Sequence, residues 1–217
     1  MKFFSIILIF LSFTTINAFA QNDSEAAQLL EKISDKYKKV DAYYIDVELT
    51  IDIPEVKENV NVLAKVWLKG DKYKIDFDEK IIQSNTISEW TYLKDVNELQ
   101  IGNYDPSSMM FLPSKLFNLY SDEYIYRVKE EYKDKKGDLI KVLELTPTDK
   151  DFKYFKIITK INTRTMEIVE SIMFEKTGYK YSYKILKIDT NIKLSENFFV
   201  FDVNKYKIET DDITDFR

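Results

Sequence analysis

From Tyr43 onward the chain alternates apolar and polar residues so regularly, and over such a length, that a large antiparallel sheet is the fold it predicts. Tyr43, Ile45, Val47, Leu49, Ile51 and Ile53 interleave with Tyr44, Asp46, Glu48, Thr50 and Asp52, the period of two expected of a strand with one dry face. The alternation returns at Val60, Val62, Ala64, Val66 and Leu68, turns at Gly70-Asp71, and resumes at Tyr73, Ile75 and Phe77. Further strand-like runs lie near 81–87, 89–93, 97–104, 124–132, 138–146, 152–161, 166–176 and 179–189. Turn signals separate them at Lys94-Asp95, Asp134 to Gly137, Asn162-Thr163 and Thr177-Gly178. About eleven strands with hairpin-length links predict one meandering sheet.

Strand twist accumulates, so a sheet of that size curls into a barrel or half-barrel whose concave face has to be covered. Two pieces of chain can cover it. From Glu25 to about Val40, Ala26, Leu29, Leu30, Ile33, Tyr37 and Val40 recur at three- and four-residue steps, with Asp23 or Ser24 as a cap and Lys36, Lys38 and Lys39 at the far end, which predicts an amphipathic helix. The second piece, Pro106 to Tyr120, holds Met109, Met110, Phe111, Leu112, Leu116, Phe117, Leu119 and Tyr120 between Pro106 and the region past Pro113. It is too apolar for a solvent loop and too broken for one long helix. The fold class expected is mainly β with a helical lid: an unclosed, half antiparallel β-barrel over a hydrophobic cavity. Leu29, Leu30 and Ile33 of the helix, with Met109, Met110, Phe111, Leu112, Leu116 and Phe117, are the expected lid residues. Two readings stay open, a plug that closes an ordinary core and a lid over a ligand space.

Fifteen Phe, fifteen Tyr and two Trp bear on that choice, because large rings line a wall well but interdigitate poorly with a bare sheet opposite. The inward positions expected to line a lipid-binding cavity are Tyr43, Ile45, Val47, Leu49, Val62, Val66, Leu68, Tyr73, Ile75, Phe77, Trp90 and Tyr92.

Lys2, an apolar run from Phe3 to Phe13 and Ala18-Phe19-Ala20 have the pattern of a secretory signal peptide; the run is shorter than the roughly 20 residues that span a bilayer. The mature domain is therefore expected to be 21–217, in the periplasm. With no cysteine it has no site for an N-terminal lipid anchor and no disulfide. Losing residues 1–20 leaves 31 basic against 37 acidic side chains, so nucleic acid is not an expected partner. Histidine is absent too, which removes Ser-His-Asp and Cys-His nucleophile systems and imidazole or thiolate zinc sites. No enzyme activity, cofactor or metal is expected. The acids Asp202, Glu209, Asp211, Asp212 and Asp215 have no calcium-loop spacing and are expected to form a solvated tail, and Lys133 to Lys136 a charged hairpin turn.

The order of short motifs resembles a family. After one helix come Tyr43-x-Ile45-x-Val47, Val66-Trp67-Leu68-Lys69, Tyr73-Lys74-Ile75, Ser84-Asn85-Thr86, Trp90-Thr91-Tyr92 and Leu145-Thr146-Pro147. The series ends in Phe199-Val200-Phe201-Asp202 and Asp215-Phe216-Arg217. This series is similar to the LolA family of periplasmic lipoprotein carriers and covers nearly all of 21–217. The resemblance implies an eleven-stranded open barrel whose cavity shields lipoprotein acyl chains. It also implies transit from an inner-membrane ABC lipoprotein-release complex to the outer membrane and an acceptor there. The chain is expected to act as a monomer. Where some members carry an arginine after the W-x-K element this chain has Gly70, so an arginine lock on the lid is not carried over. Ser84-Asn85-Thr86 stands where Ser-Asp-Gly is usual. The alternatives are a lipid-binding envelope sensor of the RseB type and a structural β-protein with a filled core.

Overall fold

The computed structural model describes residues 23–105 and 123–217. The expected signal peptide and the apolar segment with Met109, Met110, Phe111, Leu112, Leu116 and Phe117 lie outside them.

Helix α1, Ser24–Lys38, starts where Asp23 accepts the Glu25 N–H at 2.9 Å and ends with Lys36 and Lys38 in its last turn, so both ends match the helix dipole. Its Ala26, Leu29, Leu30, Ile33 and Tyr37 are buried. Polar ties fasten both ends. The Asp23 N–H donates to the Tyr126 carbonyl at 3.1 Å and its carboxylate accepts the Val128 N–H at 3.2 Å. Glu25 pairs with Lys141, and Lys36 donates to the Thr165 carbonyl at 2.8 Å and to Glu167 at 3.0 Å.

Among the described residues twelve strands form one sheet: β1 Tyr43–Asp52, β2 Val60–Lys69, β3 Lys72–Phe77, β4 Lys80–Ser84, β5 Ser88–Leu93, β6 Glu98–Asn103, β7 Tyr124–Lys133, β8 Leu139–Pro147, β9 Tyr154–Asn162, β10 Glu167–Glu175, β11 Lys180–Asp189 and β12 Ile213–Asp215. The order is β12-β6-β5-β4-β3-β2-β1-β11-β10-β9-β8-β7, with β7 and β12 left as edges. Every pairing is antiparallel except β12 on β6. The half-barrel is thus the predicted one plus a twelfth, parallel strand. Three residues with Thr214 between Ile213 and Asp215 carry too little alternation to read as a strand. At about 4.8 Å per strand, β3 and β7 would lie ~34 Å apart in a flat sheet. Yet side chains of both join one apolar cluster around α1, so the sheet curls round the helix.

The turns answer two sequence questions. Gly70 takes φ +55° in the β2–β3 hairpin, a left-handed position that favours glycine. Asn85 accepts the N–H groups of Ile87 and Ser88 at 3.0 and 2.9 Å, so Ser84-Asn85-Thr86 closes the β4–β5 turn with Thr86 at φ 76°.

The register divides the apolar residues between two faces. Tyr43, Ile45, Val47, Ala64, Val66, Leu68, Tyr73 and Ile75 share the α1 face with Tyr126, Leu143, Leu145, Tyr154, Ile157, Ile161, Ile168, Met173 and Tyr183. Trp90 and Tyr92 are on the other. Tyr73 pairs with Ser84 and Ser84 with Glu89; Gln83 pairs with Trp90 and Ile81 with Tyr92. Directly paired residues share a face, so Trp90 and Tyr92 point away from the concave side. This corrects their expected place in the cavity.

On that convex face they form a second core with Ile81, Leu99 and Phe201, flanked by Val203, Tyr206, Ile208 and Ile213. The residues after β11 run across it as two short 3-10 turns, Glu196–Phe199 and Thr210–Asp212, and a helical turn, Val203–Tyr206. The acids there have local tasks: Asp202 caps the helical turn by accepting the Asn204 and Lys205 N–H groups at 3.0 and 3.2 Å. Asp215 pairs with Arg217, whose guanidinium also donates to Ser88 Oγ at 2.9 Å. No helix among the described residues is long and apolar enough to cross a membrane.

Candidate lipid-binding face

Along the concave face burial changes from end to end. Near the start of β1, Tyr43, Ile45, Val47, Ala64, Val66 and Leu68 are buried beneath α1. Towards the end of β1, Leu49 and Ile51 are only half-buried, and so are Val62 and Phe77 across the sheet and Ile185 and Tyr181 on β11. A helix of 15 residues spans about 22 Å at 1.5 Å per residue, and it crosses the sheet with its two ends tied to β7 and to the β9–β10 hairpin. On the 10-residue strands β1 and β2 the buried residues that cluster with α1 are Tyr43, Ile45 and Val47 and their partners Leu68, Val66 and Ala64.

The half-covered end is lined by rings on its β7–β11 side. Tyr124 meets Phe152 edge-on at 6.2 Å, Phe152 meets Tyr154 at 6.2 Å, Tyr154 meets Tyr181 at 6.1 Å, and Tyr179 stacks on Tyr181 at 6.1 Å and 15°. Glu175, the last residue of β10, is buried beside them. Burial raises the hydroxyl pKa of Tyr154, Tyr181 and Tyr183, and pushes that of Tyr43 up to about 12. Every one of these phenols is therefore neutral at physiological pH and adds an uncharged polar tip to the apolar face.

Ten of the twelve expected cavity positions, all but Trp90 and Tyr92, stand on this face, together with the expected lid residues Leu29, Leu30 and Ile33. The tyrosine side was missed. Its signal was present as Phe152-x-Tyr154 and Tyr179-x-Tyr181-x-Tyr183, an aromatic period of two inside runs already read as strands.

Trp67, Lys69 and Tyr92 of the motifs serve a different purpose from lining. Trp67, on the convex face, lies 5.2 Å from Tyr44 and 5.9 Å from Phe198, and Lys69 donates to the Leu194 carbonyl at 3.0 Å and pairs with Glu196 at 3.3 Å. Tyr92 packs against Phe201 and Tyr206 at 5.6 and 4.8 Å. The W-x-K and W-x-Y elements thus bind the C-terminal segment to the back of the sheet. Beside it a groove of about 650 Å³ is lined by Leu63, Leu186 and the charges Asp46, Lys65, Asp76, Asp78, Lys94 and Lys187. Its three acids and three lysines balance, with Lys94 2.6 Å from Asp76.

No family model and no curated protein matches the chain. Solved structures do. An uncharacterized conserved protein from Thermus thermophilus is similar over 87 % of this chain and 98 % of its own, at 12 % identity and a TM-score of 0.54. A LolA superfamily protein from Nitrosomonas europaea matches 81 % of this chain and 97 % of its own at 14 % identity and a TM-score of 0.45. A putative outer membrane lipoprotein-sorting protein domain from Vibrio parahaemolyticus matches 85 % and 99 % at 15 % identity and 0.46.

Proposed function

We propose that this chain, whose fold is LolA-like, is a soluble periplasmic carrier that shields lipoprotein acyl chains on its concave face between the inner and outer membranes. The observation that carries the reading is the change along β1–β3 and β11 on that face: apolar side chains are buried with α1 near the start of β1, while Leu49, Ile51, Val62, Phe77 and Tyr181 are only half-buried beside the buried Tyr154 and Tyr183. A filled structural core has no use for a continuous apolar floor that its own helix leaves part-open. An alkyl chain lying on Leu49, Ile51, Val62, Phe77 and Tyr181 would complete the covering.

The energetics fit a carrier. Each buried methylene is worth about 0.8 kcal/mol, so a sixteen-carbon chain leaving water gains on the order of 12 kcal/mol gross. Part of that gain is offset wherever side chains that pack together in the empty protein must part to admit the ligand. An inner-membrane ABC release complex would load the carrier and an outer-membrane acceptor would unload it. Both follow from the family resemblance.

Two substitutions two residues apart test the reading. Leu49→Glu puts a carboxylate on the half-covered end, where it can stay hydrated; the protein should keep nearly its parental stability and lose binding of a fluorescent long-chain fatty acid. Val47→Glu puts the same group under α1 and should cost several kcal/mol of stability. If Leu49→Glu unfolds as readily as Val47→Glu, the face is a filled core; if it binds fatty acid like the parent, the half-covered end is not the site.

A further inference from the structure

The half-covered end contains a feature that an alkyl chain does not need. Glu175 is 7 % exposed, and its Oε2 accepts no well-aligned hydrogen bond. What approaches that oxygen is the ammonium of Lys153, at 3.3 Å. The same ammonium lies 5.6 Å from the centre of the Tyr154 ring. The Tyr181 ring stands edge-on to Tyr154, and its hydroxyl lies near the Glu175 carboxylate. Lys153 itself is 57 % exposed along its side chain.

A buried carboxylate beside tyrosine faces is a receptor for an ammonium group, since the charge and the ring quadrupoles both attract a cation. Here the protein's own lysine occupies it. Because Lys153 comes from the surface, it returns to water at little cost when another cation arrives. Its neighbours do not compete: Lys180 is paired with Asp52 at 2.8 Å, and Lys176 donates to the Lys150 carbonyl. Glu175 lies two residues beyond Met173, on the same face, so the receptor sits at the end of the apolar floor, where the polar head of a chain lying along it would emerge.

We propose that Glu175, Tyr154 and Tyr181 form a subsite for the ammonium group of an acylated ligand, with Lys153 as an internal occupant that the ligand displaces. The proposal rests on the acyl-binding reading and names the chemistry of the ligand's head.

Calorimetric titration of the purified chain with dodecylamine and with 1-dodecanol separates the two ideas, because the ligands share a chain and differ in the head. The amine should bind about tenfold tighter. Lys153→Gln should raise amine affinity several-fold and leave the alcohol unchanged. Glu175→Gln should remove the amine's advantage while alcohol binding persists. Equal binding of amine and alcohol by the parent chain overturns the subsite but leaves acyl binding standing; binding of neither overturns the acyl reading itself. A loss of amine affinity in Lys153→Gln makes the lysine a structural partner only, and overturns the displacement; this variant also decides the matter should Glu175→Gln fail to fold. Two further ligand pairs identify the source of the ammonium. Preference for a monoacyl phosphoethanolamine over its phosphoglycerol counterpart assigns it to a lipid headgroup. Preference for a palmitoylated peptide with lysine beside the acylated residue, over its acetyl-lysine form, assigns it to a protein cargo. Preference in neither pair overturns the proposal.

Discussion

Asp138 shows how much of this fold's polar order resides in single side chains. Its carboxylate takes Arg164 Nε and Nη2 at 2.5 and 2.6 Å and Asn162 Nδ2 at 2.9 Å, joining the β7–β8 turn to the β9–β10 turn. The Arg164 and Asn162 hydrogen bonds hold its pKa down at about 2. A carboxylate depressed in the folded state adds stability that is full above its unfolded value, near 3.9, and is lost as pH falls through the folded value. The stability gap between the parent and Asp138→Asn in urea unfolding should therefore be constant above about pH 5 and shrink towards pH 2. A gap that does not change over that window would mean that the bidentate pair does not form.

Elements hold together here through two cores on opposite sides of one sheet, and that arrangement explains what could and could not be read from the chain. Helix α1 and the strands from β1 to β11 were legible within a few residues, because each keeps its period and the turns between them carry their own signals. The facing of Trp90 and Tyr92 was not. Alternation shows that two residues share a face but not which face, and the polar side that normally decides is missing where both sides of the sheet are covered. Around β4, Ile81 and Ile82 are adjacent and belong to different cores. The convex cover was illegible for a related reason: Phe199, Phe201, Tyr206, Ile208 and Ile213 are spread through short turns with no helical or strand period. Phe201→Ala tests that element. It should cost about 3 kcal/mol or more, as for other buried Phe truncations, and limited proteolysis should then cut first between 190 and 212, with fatty-acid binding on the other face retained. Loss of binding along with stability would show that the two cores are not independent.

At the scale of the whole molecule, the sheet is a curved wall whose back is covered by the C-terminal segment along β2 and β4–β6 and whose front packs against α1. Under the proposed function the burial pattern divides the labour: residues buried with the helix provide stability, and the half-buried ones would take the ligand. This is why ten expected lining positions, read from alternation alone, fell on one face, while their split into a sealed half and a receptive half required the helix's placement. If the proposed function holds, the protein should leave its cells with a ligand bound. The most direct measurement is a native mass spectrum of the protein isolated gently from its own cells, without detergent. The account predicts a population heavier than the polypeptide by the mass of an acylated molecule, lost on collisional activation and absent from Leu49→Glu. A spectrum showing only the bare polypeptide, from cells in which its lipoproteins are being made, would contradict it.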